Sequence, residues 1–364
     1  MKENKLYKNK MSMFDFIKGV AIFAVIFTHT IELWNGEPGF GPLITINGMF
    51  GTCWMPAFLL SSAYWYKPKP VKSYTKNQLK EFMIPFLLMQ MVAWCTYCVC
   101  HYTKWRNFHD SLKGVRSLML GTFTGNMTEY FIGDLRICNV GPMWFMVTLC
   151  LSSIIFNWIM NQEKIKNKLV AIVPLVLIGI AFGKVPAQPY CFSAVLVATL
   201  CLYVGYRLKE TKFLIRKWTR KEYALVCGIA AFGFFTALMI AFRGYYCNAI
   251  YLSFCCPMGI LALRAGLKIG QGKDNAVTLF FKKLGRYTFW ILMVHTVEVL
   301  SIDWNWFKNW HVLAGLPSFI NFLAVLMIRL CLVAVGCFIV SKVSSCWTEV
   351  KENVISKRFA KVER

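Results

Sequence analysis

Ten apolar stretches, each close to the length that crosses a bilayer, alternate along this chain with short segments rich in lysine and arginine. They fall near residues 14–33, 48–66, 82–101, 142–160, 168–185, 190–206, 222–242, 247–263, 285–302 and 316–341. The pattern predicts an all-α, polytopic integral membrane protein with about ten transmembrane helices. The connections differ sharply in charge. Of the lysines and arginines, 31 fall at the termini and in one alternate set of loops and 8 in the other set, which leaves only Lys18 and Arg329 inside spans. Because basic residues are retained on the cytoplasmic side, both termini are predicted to be cytoplasmic. Trp304, Trp306 and Trp310 fall on the far side, where an interfacial aromatic belt is expected.

Composition sharpens the class. At 57% hydrophobic and 16% charged residues the chain is too apolar for a soluble domain. The net charge of +24 is the kind of excess that nucleic-acid binding proteins carry, but here it is parcelled out between apolar stretches, so no nucleic-acid partner is indicated. The lysine-rich start, Met1 to Lys10, leads into a span without a small-residue cleavage site, so no removable signal peptide is read. Most of the 15 cysteines, such as Cys95, Cys150, Cys201 and Cys331, lie inside apolar runs, where cysteine behaves as a small hydrophobe. The connection from His101 to Gly141 is long, mostly polar and on the far side, and it reads as a lid. Its Asn126-Met127-Thr128 matches a glycosylation sequon but carries little weight.

The first span holds four ionisable residues: Asp15, Lys18, His29 and Glu32. At about 100° per residue, the eleven steps from Lys18 to His29 return to nearly the same azimuth, and Asp15 and Glu32 fall on the same stripe. Ionisable groups in hydrocarbon cost on the order of 2.5–3.5 kcal/mol each on insertion scales, so they usually face a protein interior and serve function. The ninth span adds His295 and Glu298, three residues apart on one face with Thr288 two turns back, and the tenth adds Arg329. A histidine beside a carboxylate can take a proton from a hydroxyl near neutral pH. The same residues also suit plainer roles. Lys18 could snorkel to the headgroups, Arg329 could neutralise Glu298 or Glu32, and His295 could simply pack. A metal centre is disfavoured: the two His-x-x-Glu pairs have no further carboxylate pair, and Lys18 and Arg329 would repel a cation. A proton-coupled carrier is the stronger rival, although the chain lacks the internal symmetry many carriers show.

Five segments carry a resemblance that spans nearly the whole chain. Asp15-Phe16-Ile17-Lys18-Gly19-Val20-Ala21-Ile22, with His29 further on, resembles the opening helix of membrane acyltransferase family 3, in which a basic residue stands before an essential histidine with ten positions between them. Met55 to Tyr64 is similar to that family's Met-Pro, aromatic, Ser-Gly-Tyr segment, with Ala63 in place of the glycine. Lys80 to Leu87 resembles its basic-then-Ile-Pro segment before the third span, and Pro142-Met143-Trp144-Phe145-Met146 its Trp-Phe-Leu opening. Leu284-Gly285-Arg286-Tyr287-Thr288 through His295 resembles its Gly-x-x-Ser to His segment, with Thr288 for serine.

The resemblance implies a transmembrane acyltransferase domain over residues 1–345 and a basic cytoplasmic tail over 346–364, in the cytoplasmic (inner) membrane. It implies an acyl-CoA, acetyl-CoA by default, as co-substrate and no bound cofactor or metal. The acceptor would be a hydroxyl of a cell-envelope polysaccharide or lipid-linked glycan. In the site so implied, His29 is the base, Glu32 orients it and His295 is the further catalytic candidate. Asp15, Lys18 and Arg329 are candidates for the donor, and Glu298 and Trp144 for the acceptor. The competing reading is an exporter of polysaccharide or small molecules, and a third is a non-catalytic scaffold.

Overall fold

The computed structural model describes residues 14–183, 185, 187–241, 255–271 and 275–362, and it is helical almost throughout. Helix α1 (Asp15–Ile31) opens on Asp15, whose negative charge suits the positive end of the helix dipole, and it tightens into a 3-10 turn over Glu32–Trp34. Helix α2 (Gly41–Tyr64) takes Pro42 in its first turn, where the missing N–H has no partner to lose. A short α3 (Val71–Gln78) runs through one wide π turn, Leu79–Met83, into α4 (Ile84–Trp105).

The connection after α4 is not the polar loop that hydropathy predicts. It forms helix α5 (Phe108–Thr124) and a hairpin of β1 (Tyr130–Ile132) and β2 (Leu135–Ile137), with Tyr130 opposite Ile137. The Asn107 side chain caps α5 by accepting from the Asp110 N–H, and Gly125 ends it in the left-handed region at φ 57°. Helix α5 then lies antiparallel along α4, with Ser111 bonded to His101 at 2.9 Å and Thr122 bonded to Gln90 at 3.2 Å. The face it buries is Ser111, Ser117, Leu118, Gly121 and Thr122. Small polar residues let helices approach closely, yet they leave no hydropathy signal. Asn126 follows, wholly buried, its Oδ1 accepting from the Gln188 N–H at 2.8 Å. The sequon's asparagine is therefore a packing residue in the folded chain.

The remaining helices are α6 (Trp144–Met160), α7 (Leu169–Phe182), α8 (Phe192–Glu210), α9 (Arg220–Ala241), α10 (Cys256–Gly270), α11 (Ala276–Arg286), α12 (Thr288–Ser301), the short α13 (Trp304–Lys308) and α14 (His311–Ala314), and α15 (Ser318–Val362). Among the described residues, five stretches are long and apolar enough to cross a membrane: Asp15–Trp34, Val71–Trp105, Gly141–Met160, Pro189–Glu210 and Ser318–Lys342. Helix α8 is central, packing on α2, α6 and α7, while α1 packs on α2, α10, α11, α12 and α15. This is the structure of a membrane protein.

Several boundaries differ from the hydropathy reading: α2 starts at Gly41 rather than near 48, and α15 runs on to Val362. Helix α10 runs past residue 263, because Arg264 is buried: it donates to the Phe213 and Leu214 carbonyls at 3.2 and 2.9 Å and stacks over Trp218 at 4.0 Å. The first part of the predicted span, 247–254, lies outside the described residues. The segment before α12, read as loop, contains α11, started by an Asn275–Thr278 capping box. Segments assigned by charge to one side meet one another. Asn157 holds the Lys69 backbone and the Tyr66 hydroxyl on one side, while on the other Lys104 pairs with Asp303 at 2.5 Å and Lys308 donates to the Leu33 carbonyl at 2.8 Å.

Candidate active site

Helices α1, with its closing 3-10 turn, α12 and α15 bring five of the predicted site residues into one cluster. On α12, His295 and Glu298 are one turn apart and face inward, so His295 Nδ1 lies 2.6 Å from Glu298 Oε1. Arg329 on α15 reaches the same oxygen through Nε at 3.2 Å and Nη2 at 2.9 Å. Its Nη1 donates to the backbone carbonyl of His29 at 2.7 Å. One guanidinium thus joins α15 to both α12 and α1. On α1, His29 Nδ1 lies 3.2 Å from Glu32 Oε2, and the two histidine rings stand 5.4 Å apart, tilted by 41°.

The two histidine–carboxylate pairs face each other in different surroundings. The His295 side chain is 0% exposed, whereas that of His29 is 32% exposed and that of Glu32 60%. The outer pair is partly exposed and the inner pair is sealed. With Arg329 bonded to it, Glu298 is held as an acceptor, so His295 donates its Nδ1 proton and presents a bare Nε2. That Nε2 and Glu298 Oε2 have no hydrogen-bond partner among the described residues. Unfilled polar valences in a buried cluster mark where a reacting group could bind.

Trp304, expected in the interfacial belt, belongs to this cluster instead. It is buried, lies 4.8 Å from the Arg329 guanidinium and donates its indole N–H to the Glu298 carbonyl at 3.2 Å. The turn after α12 folds it inward, while Trp306 and Trp310 remain exposed as predicted. Thr288, aligned with His295 by spacing, sits at the opposite end of α12 and donates to the Gly285 carbonyl at 2.9 Å, which fixes the junction with α11.

The other predicted residues lie apart. Asp15 and Lys18 are near the start of α1, where Asp15 Oδ2 meets Arg286 Nε of α11 at 3.3 Å. Trp144 begins α6, packed edge-on to Phe145 with 6.0 Å between ring centroids. Its lead-in is closer to the cluster: Gly141 packs against Thr296 and Leu300 of α12. Sequence reasoning missed Arg286, Lys282 and the inward role of Trp304. Arg286 stood inside a quoted motif, but nothing in its spacing pointed to Asp15.

A family model described as an acyltransferase domain matches residues 12–342, from the start of α1 into α15, and so includes every residue of the cluster. The chain belongs to acyltransferase family 3. Comparison with curated proteins and with solved structures gave no match. Membership makes the protein a membrane acyltransferase. Within this acyltransferase the facing histidines are both carboxylate-linked, one partly exposed and one buried, an arrangement that can exchange protons.

Proposed function

We propose that this acyltransferase moves an acyl group, acetyl by default, from acyl-CoA supplied by the cytoplasm to a hydroxyl of a cell-envelope glycan. The observation that carries the reading is the pair of facing histidine–carboxylate dyads inside a membrane acyltransferase domain. In this scheme Glu32 accepts the Nδ1 proton of His29 and leaves Nε2 as the base. His29 takes the proton of the acceptor hydroxyl, the oxygen attacks the thioester carbonyl, the carbon–sulfur bond breaks, and the imidazolium returns the proton to the CoA thiolate. His295 supplies a second polar group beside the reacting centre. Glu298 orients it, and Arg329 positions both dyads rather than touching the donor, since its nitrogens are already bonded. Trp144 is placed on the acceptor side.

Lys18 and His29 are eleven residues apart on α1, about 16 Å at 1.5 Å per residue, roughly half the hydrocarbon thickness. A pantetheine arm threaded along the helix would cover that distance, with Asp15 and Lys18 at the donor's entrance. The same-side pairings described above agree with the alternation of loops in the proposed topology of ten spans with both termini cytoplasmic. The setting proposed is the cytoplasmic (inner) membrane, with a catalytic region over 1–345 and a basic tail over 346–364. Replacing His29 with Ala tests the scheme. Protein level and topology should stay unchanged while glycan acetylation, read by mass spectrometry of the envelope, disappears. Persisting acetylation rules out His29 as base, and intracellular accumulation of unmodified glycan with no missing ester would favour an exporter.

A further inference from the structure

The inner end of α1 holds a second charged cluster that the acid–base scheme does not use. Helix α11 lies against α1 at backbone contact. A Cβ on Gly19 would fall 1.9 Å from the Phe281 carbonyl oxygen, and one on Gly285 would fall 1.8 Å from that of Asp15. This fit seats the last turn of α11 beside the first turn of α1. The Asp15 side chain, 8% exposed, holds the Arg286 Nε at 3.3 Å, while the Arg286 side chain is 64% exposed. The buried carboxylate thus fixes one edge of the guanidinium, and its terminal amino groups are offered outward. Lys18 and Lys282 lie in the field of the same carboxylate, so three cations surround one anion.

A net positive cluster around a positioned guanidinium suits phosphate: arginine grips two oxygens in fixed geometry, and lysine adds point charge. The cluster also stands on the stripe that leads to His29. We propose that Lys282 and Arg286, with Lys18, hold the phosphates at the nucleotide end of the acyl donor, and that Asp15 positions Arg286 for this. The assignment rests on the acyl-CoA reading above. It makes α11 the element that distinguishes a nucleotide-bearing thioester from a bare pantetheine thioester. Anionic lipid headgroups offer the same chemistry, and α11 exposes Val277 and Phe280 as a membrane-surface helix would.

Binding of CoA, 3′-dephospho-CoA and pantetheine to the full chain in lipid nanodiscs separates these outcomes. The wild type should prefer CoA to pantetheine, and Arg286→Gln and Lys282→Gln should each weaken CoA by about tenfold, as loss of one charged hydrogen bond predicts. Pantetheine binding should move little, so the CoA-to-pantetheine ratio falls, and Arg286→Lys should recover part of it. An unchanged ratio in both variants overturns the proposal and leaves the acyl-CoA reading standing. A wild type that binds neither CoA nor pantetheine removes that reading and this assignment with it. The measurement is repeated in discs of phosphatidylcholine alone and with phosphatidylglycerol. An effect confined to the anionic discs makes the cluster a lipid site and overturns the proposal.

Discussion

Replacing Arg329 with Met removes a group that ties three helices together, and the structure sets the size of the effect. The guanidinium is 1% exposed, gives two bonds to Glu298 Oε1 at 3.2 and 2.9 Å and one to the His29 carbonyl at 2.7 Å, and lies under the face of Trp304. Once it is gone, the Glu298 carboxylate keeps only His295, because its other oxygen already has no partner among the described residues. Removing one partner of a buried ion pair costs about 3–5 kcal/mol, much of it the uncompensated charge left behind. Glu298→Gln alone should cost a similar amount, for the opposite charge. In the double variant neither charge remains, so the loss should fall well below the sum, with a coupling of about 2 kcal/mol or more. Unfolding of the four proteins by SDS in mixed micelles, followed by tryptophan fluorescence, gives the cycle directly. Single losses that add to within about 0.5 kcal/mol would refute the reasoning, because independent sites behave that way.

Two further outcomes test the scaffold. Gly285→Ala would drive a methyl group into the Asp15 carbonyl, so α11 should separate from α1; limited proteolysis should then cut the α11 segment faster, and equal rates would contradict the packing described. At the far side, partial burial pushes the Asp303 carboxyl up, but the Lys104 ammonium and the Trp306 and Asn305 N–H groups outweigh it and hold the group below its ordinary 3.8. A depressed carboxylate stabilises above the unfolded value and loses that contribution as pH falls through the folded one, so the Lys104 latch should release only under strong acid, below about pH 4. Asp303→Asn should flatten the acid limb of the stability curve, and an unaltered limb would show that the latch does not carry it.

The chemistry on single helices was readable in the sequence. Asp15, Lys18, His29 and Glu32 share a stripe because 3.6 residues per turn is the only geometry needed to align them, and His295 with Glu298 follows from the same spacing. Partnerships between helices were not readable. Arg286 lies 271 residues from Asp15, and Trp304 reaches the cluster only because the chain turns inward after α12. The missed helices have a common cause as well. α5 packs through serine, glycine and threonine, and α11 is short, basic and two-faced, so neither raises a hydropathy window. The sequon at Asn126, given little weight, turns out to be buried, which a local triplet cannot tell.

The bond from Arg329 to the His29 carbonyl joins residues 300 positions apart. During synthesis α1 emerges well before α15, so it must sit in the bilayer with its ionisable stripe incomplete until α15 has been inserted. Assembly of the histidine–carboxylate cluster therefore waits for α15, and a chain stopped before α15 retains both dyads without the guanidinium that bonds to them.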